Sequence, residues 1–328
     1  TPIKSSAASD VYKRQVEYSS AYAIIASKND DTDIEYFDIK RNYQVRSLLA
    51  AIEVLYKREM ITEDDCKTCF HNLRNFFFLF HSCSYTSNKT DKAIANAAFD
   101  VYHTKSEMDF KYVISDVFGE LSKFISSSTV DELMFTTSSM QYSLKNSAYK
   151  SNHRIVKYIL YCLYMPDQRD TVLDQSRLTI EHLLNDDGSV RNSSIYNLTL
   201  TSGEINSNEL KNRGLVEKIG ILKSQSSVIA NQKLDEYLDA QGEYLEDKRK
   251  NDLKEQAISN VFKYEGSPFG YTKEMVDGYL KMKRALQSDE ELLAVLLERG
   301  MNIQAYLSNN PAMQDAYNRF LTLCGTTS

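Results

Sequence analysis

Few residues in this chain can stop a helix. Pro166, Pro268 and Pro311 are the only prolines beyond residue 15, and 328 residues hold just 11 glycines. These two residue types punctuate regular structure most strongly, so long stretches without them favour helices. Apolar residues recur at helical spacing to match. Leu48, Leu49, Ile52 and Leu55 share a face between Val45 and Glu59. Thr62, with Asp65 three residues on, reads as a capping box. The helix it opens carries Phe70, Leu73, Phe76, Phe77 and Phe80 on one broad face as far as His81. Further helices are expected at 91–103, 106–125 and 152–164. The last has an apolar stripe of Ile155, Ile159, Leu160 and Leu163.

The period changes after Pro166. Leu178–Leu184 and Ile195–Leu200 are short, β-rich runs, and "NDDGSVRNSS" between them is turn chemistry throughout. Gly203 follows, and a helical pattern resumes at 204–223. Helices are expected again at 228–238, 244–264, 273–286, 289–298 and 312–323. The predicted fold class is therefore predominantly α-helical with one small strand–loop–strand–helix insert. Residues 16–165 read as a helical domain, 166–265 as the insert with its following helices, and 266–328 as a helical extension without a readable motif. Ser5–Gln15, "SSAASDVYKRQ", matches the translation of a transposase-based sequencing-library adapter, so residues 1–15 are expected to be an artefact.

Composition excludes some functions. No apolar run reaches the ~18 residues that span a bilayer, and no secretory signal is recognisable before the first helical segment. The five cysteines (Cys66, Cys69, Cys83, Cys162 and Cys324) are too sparse for a disulfide framework and read as reduced thiols of a cytoplasmic protein. The formal net charge is −6. Residues 1–15 contribute Lys4, Lys13, Arg14 and Asp10, so 36 basic against 44 acidic residues leave −8 without them. An acidic chain does not advertise nucleic-acid binding, and any such role rests on a local patch.

The insert carries the chemistry. "LTIEHLLNDDG" places Glu181 beside His182, and "IYNLTLTSGEIN" places Asn197 nine residues before Asn206. Strand, loop, strand and helix of this size can bring Glu181 and Asn206 to one ion, and hard oxygen donors suit Mg²⁺ or Mn²⁺. Alternation puts His182 on the opposite strand face from Glu181. Serving one phosphate together then requires the strand to bend or end there.

These motifs resemble the C-terminal domain of GmrSD-type, modification-dependent restriction endonucleases, an HNH-like nuclease of the ββα-metal fold. The family pattern is Glu-His-Ile-x-Pro, then Gly-Asn-Leu-Thr-Leu, then Asn. The resemblance covers about residues 60 to 265. It includes the lead-in "MFTTSSMQYSLKNSAYKSNHRIVKYILYCLY", the following "LKNRGLVEKIGILKSQSSVIANQKLDEYL", and Arg249 with Leu253 as Arg-x-x-x-Leu. It implies that His182 is the general base, that Glu181 and Asn206 hold one divalent ion, and that Asn197 braces the loop between the strands. It also implies that Lys211, Arg213, Lys218 and Lys223 on the following helix meet phosphates of a DNA substrate. Related full-length proteins carry an N-terminal domain that uses nucleoside triphosphate and act on phage DNA bearing modified bases. That domain is expected to precede this chain and to be truncated here. Two positions depart from the pattern. Asn185 stands where the family has Pro, which loosens a turn, and Tyr196 replaces the Gly, which crowds one. Neither removes a reacting group.

Blander readings compete. A lone Glu-His pair is usually incidental, and the basic residues at 211–223 read on charge alone as a solvated helix face. A helical interaction module with a degenerate HNH insert is the non-enzymatic alternative, and RNA is a possible substrate on the same chemistry. Cys66, Cys69, His71, His81 and Cys83 have conceivable zinc-ligand spacing, although Cys66 and Cys69, one turn apart, fit better as core fillers. His103 and His153 have no partner pattern and are expected at the surface.

Overall fold

The computed structural model describes residues 2–284 apart from 29–30, 169–172, 212 and 282. The fold is mostly helical, with one two-stranded antiparallel sheet. The first half runs through α1 (Pro2–Ser27), α2 (Thr32–Ile39), α3 (Val45–Lys57), α4 (Glu63–Ser82), α5 (Asp91–Tyr102), α6 (Glu107–Ser122) and α7 (Ser127–Leu133). Then come α8 (Ser147–Lys150), α9 (His153–Tyr164), β1 (Leu178–His182), α10 (Val190–Ser193) and β2 (Leu198–Ser202). Helices α11 (Gly203–Asn208), α12 (Leu215–Gln225) and α13 (Glu246–Gln256) follow. No helix among the described residues is long and apolar enough to cross a membrane.

Helix α4 is the central beam. The Thr62–Asp65 box caps it, with Thr62 Oγ1 accepting from Asp65 N and Asp65 Oδ2 accepting from Thr62 N, both at 3.1 Å. Its apolar surface is wider than the single face expected. Phe78 and Leu79 are buried with Phe76, Phe77 and Phe80, and Phe78 stacks on Phe262 with centroids 3.7 Å apart. From Asn72 to Ser82 every residue is buried, polar ones included. Its polar residues tie down residues 261–265: Asn72 Nδ2 donates to Glu265 O (2.8 Å), Asn75 Nδ2 to Lys263 O (2.6 Å) and Arg74 to Val261 O (3.1 Å). The segment beyond the sheet is thereby hydrogen-bonded into the helical half.

Cys66 and Cys69 lie in this core, where burial pushes the Cys66 thiol up to about 12 and holds the Cys69 thiol well above its usual range. Both thiols are packed among apolar side chains, as core fillers are. His81 is buried too, hydrogen-bonded through Nδ1 to the Tyr36 hydroxyl at 2.9 Å. No cluster of three or more His, Cys, Asp or Glu side chains suited to a metal exists among the described residues.

Several expected elements move. The second strand begins at Leu198 rather than 195, because Ile195–Asn197 form a 3₁₀ turn. The helix expected at 204–223 breaks into α11 and α12, and Leu210 in the connecting turn is fully buried. The α-helix expected at 228–238 is a 3₁₀ run, Ile229–Tyr237, and 244–264 is α13 followed by a π turn, Ala257–Val261. Residues 273–281 are helical as expected. The helices expected at 289–298 and 312–323, and Cys324, lie outside the described residues. Ser5–Gln15, expected as artefact, continue α1, whose later turns pack through Ala21 and Ile25.

Candidate active site around His182

A two-stranded sheet has two unpaired edges, and each exposed carbonyl needs a donor. The register pairs Glu181 with Thr199 and His182 with Leu198. Leu183 N donates to Asn197 O at 2.9 Å. In an antiparallel ladder, alternate residues face the partner strand. The odd-numbered residues of β1 therefore face β2, while Ile180 and His182 turn their carbonyls outward. Side chains from distant elements cap these carbonyls. Asn206 Nδ2 donates to Ile180 O (3.0 Å), and Lys218 Nζ donates to His182 O (2.6 Å). The outer edge of β2 is treated alike: Asn231 Nδ2 donates to Leu200 O and Arg249 Nη2 to Leu198 O, both at 2.8 Å.

Asn206 thus reaches β1 from α11, but with its nitrogen. A carbonyl only accepts, so the atom facing Ile180 O is the amide NH₂, which also donates to Thr179 Oγ1 at 3.1 Å. Its Oδ1 has no hydrogen-bond partner among the described residues. Glu181 is buried and salt-bridged through Oε1 to Lys218 at 2.5 Å, and its Oε2 likewise has no partner there. Thr179 and Glu181 share one strand face, so Asn206 approaches that face. Two free, hard oxygens fit a Mg²⁺ or Mn²⁺ ligand set in chemistry. The ammonium on the same carboxylate opposes it in charge.

His182 is the last residue of β1, paired with Leu198. The side chain is largely buried, with 8% of the residue exposed. Its Nε2 lies 3.0 Å from the Tyr142 carbonyl. That carbonyl must accept, so Nε2 carries hydrogen and the neutral ring keeps its lone pair on Nδ1. Nδ1 has no hydrogen-bond partner among the described residues. The Tyr142 ring lies 5.9 Å from the imidazole and 5.1 Å from His153. His153 is exposed as expected, yet only one ring from the site. Burial, then Lys157, lowers its basicity.

Asp186 fixes the segment that supplies the Tyr142 carbonyl. Its Oδ1 accepts from Ser143 Oγ (2.6 Å) and Gly188 N (3.0 Å), and its Oδ2 from Leu144 N (2.9 Å) and Lys145 N (3.3 Å). Burial pushes this carboxyl up, but the Ser143 and Gly188 hydrogen bonds outweigh it and hold it below the usual range. Gly188, at φ +82°, turns the chain to bring its N–H round. Asn197, 1% exposed, braces the same loop: Nδ2 donates to Leu184 O (2.9 Å) and Asn192 O (2.7 Å), and Oδ1 accepts from Leu184 N (2.8 Å).

The four expected phosphate contacts separate. Lys211 and Arg213 sit in the turn between α11 and α12, both exposed, and Arg213 pairs with Glu217 at 2.8 Å. Lys223 is exposed and paired with Asp235. Lys218 is not on a solvated face at all; its side chain is 3% exposed. The signal for this was present. Leu215, Ile219 and Leu222 make the apolar stripe of α12, and Lys218 lies within it at helical spacing. Asp186 and Tyr142 carried no such signal, since, Gly188 apart, their partners are about 40 residues away. Compared with known proteins, the chain matches no family model, no curated protein and no solved structure.

Proposed function

We propose that residues 178–208 form an HNH-type, ββα-metal nuclease site that hydrolyses DNA phosphodiester bonds, in the manner of the GmrSD-type restriction endonucleases that the sequence resembles. One observation carries the reading: His182, next to Glu181 in sequence, ends its strand with Nε2 held by a carbonyl, leaving Nδ1 as a lone-pair nitrogen. In the proposed reaction Nδ1 takes a proton from water. The water oxygen bonds to phosphorus, the bond to the 3′ oxygen breaks, and that oxygen takes a proton from solvent. Tyr142 keeps the ring in the required tautomer. Glu181 Oε2 and Asn206 Oδ1 are the donors that would hold Mg²⁺ or Mn²⁺, which supplies charge neutralisation at phosphate. Lys211, Arg213 and Lys223 are exposed cations that would meet a DNA backbone. Restriction of modified phage DNA, a cytoplasmic setting and a nucleotide-using partner domain come from the resemblance alone.

The test is plasmid nicking with Mg²⁺ or Mn²⁺, comparing the parent with His182→Ala. Metal-dependent nicking that drops by at least about a hundredfold is expected, the usual contribution of a general base. Equal nicking by both proteins refutes the assignment. The second reading, a non-catalytic interaction module, is favoured by the ion pair that already neutralises Glu181. It requires that neither protein nicks in either metal.

A further inference from the structure

Lys218 is a charged group of the site that the proposed hydrolysis does not use. Its ammonium is buried between Glu181 Oε1 at 2.5 Å and the His182 carbonyl at 2.6 Å. It sets a unit positive charge against the only anionic member of the expected ligand set. Asn206, the other member, is neutral, so ligands and counter-ion together have no net charge. Hard divalent ions bind oxygen sites more tightly as ligand charge rises. No further acids compensate, since no metal-suited cluster of three such side chains exists among the described residues. A cation entering beside Lys218 also meets repulsion that a buried, weakly screened setting magnifies.

We infer that Lys218 is a built-in counter-ion that keeps the free protein's affinity for divalent ions low, so that ion and phosphodiester are taken up together. The phosphate supplies the negative charge that Lys218 has cancelled. Loading of adventitious metal before substrate arrives is thereby suppressed. The inference rests on the nuclease reading and adds a regulation to that site. It also gives Lys218 two roles on one atom, because the same ammonium caps the outward carbonyl of β1.

The experiment measures Mn²⁺ binding rather than cleavage. Free Mn²⁺ is followed by electron paramagnetic resonance, with and without a short DNA duplex, in a His182→Ala background that leaves the duplex intact. Lys218→Met removes the charge at similar length. Lys218→Gln keeps a donor for the carbonyl, so one folded variant remains if the other unfolds; circular dichroism and melting identify it. The expected result is a gain of at least about tenfold in Mn²⁺ affinity without duplex in the folded variant, and a smaller effect of duplex than in the parent. Mn²⁺ binding by the parent, with no gain in the variant, overturns the inference and leaves the nuclease reading standing. No binding in any protein, with or without duplex, overturns both. Adding Glu181→Gln should abolish the gain.

Discussion

Asn197→Ala tests whether the loop between the strands is held by one side chain. The amide makes three hydrogen bonds to main chain: it donates to Leu184 O and Asn192 O and accepts from Leu184 N, all between 2.7 and 2.9 Å. Truncation leaves three backbone groups without partners in a site 1% exposed. Leu184 and Asn192 are themselves only half-buried, so water reaches part of the gap. Each lost bond then costs about 1 kcal/mol, near the net value rather than the full burial penalty, for a total of about 3 kcal/mol. Urea unfolding is the assay, with the midpoint falling at constant slope. Asn197→Asp sharpens it. That residue keeps the acceptor for Leu184 N but sets a carboxylate against two carbonyls, so it should cost at least as much at neutral pH. A loss below about 1 kcal/mol for Asn197→Ala would mean that water substitutes for the amide, and that the loop is held elsewhere.

Two further outcomes follow from the same geometry. Asp186→Ala removes the acceptor of four hydrogen bonds and should cost about 2–3 kcal/mol, lowering nicking as the Tyr142 segment loosens around His182; unchanged melting and unchanged nicking would deny it that role. Burial holds His81 down from 6.5 to about 3, so the folded imidazole stays neutral where the unfolded one takes a proton. Stability from this group is complete above pH 6.5 and is lost as the pH falls toward 3, at a slope approaching ~1.4 kcal/mol per pH unit. Urea midpoints for the parent and His81→Gln at about pH 7 and about pH 5 check it, and an equal drop in both would rule the group out.

The helical character of this protein is written locally. Scarce prolines and glycines, the Thr62–Asp65 box and the 3.6-residue stripes of α3, α4 and α9 act between neighbours, and periodicity reads them directly. The short runs around Glu181 and Asn197 were legible as strands for the same reason, to within the few residues by which β2 is displaced. What periodicity does not contain is how a two-stranded sheet survives with both edges unpaired. Asn206, Lys218, Asn231 and Arg249 solve that across separations of 26, 36, 31 and 51 residues. That solution turned Asn206's nitrogen toward the strand and drew Lys218 out of a basic face into a buried ion pair. Main-chain carbonyls look alike in every sequence. Which ones are left facing outward, and which side chain arrives to meet them, is settled only when the chain is folded.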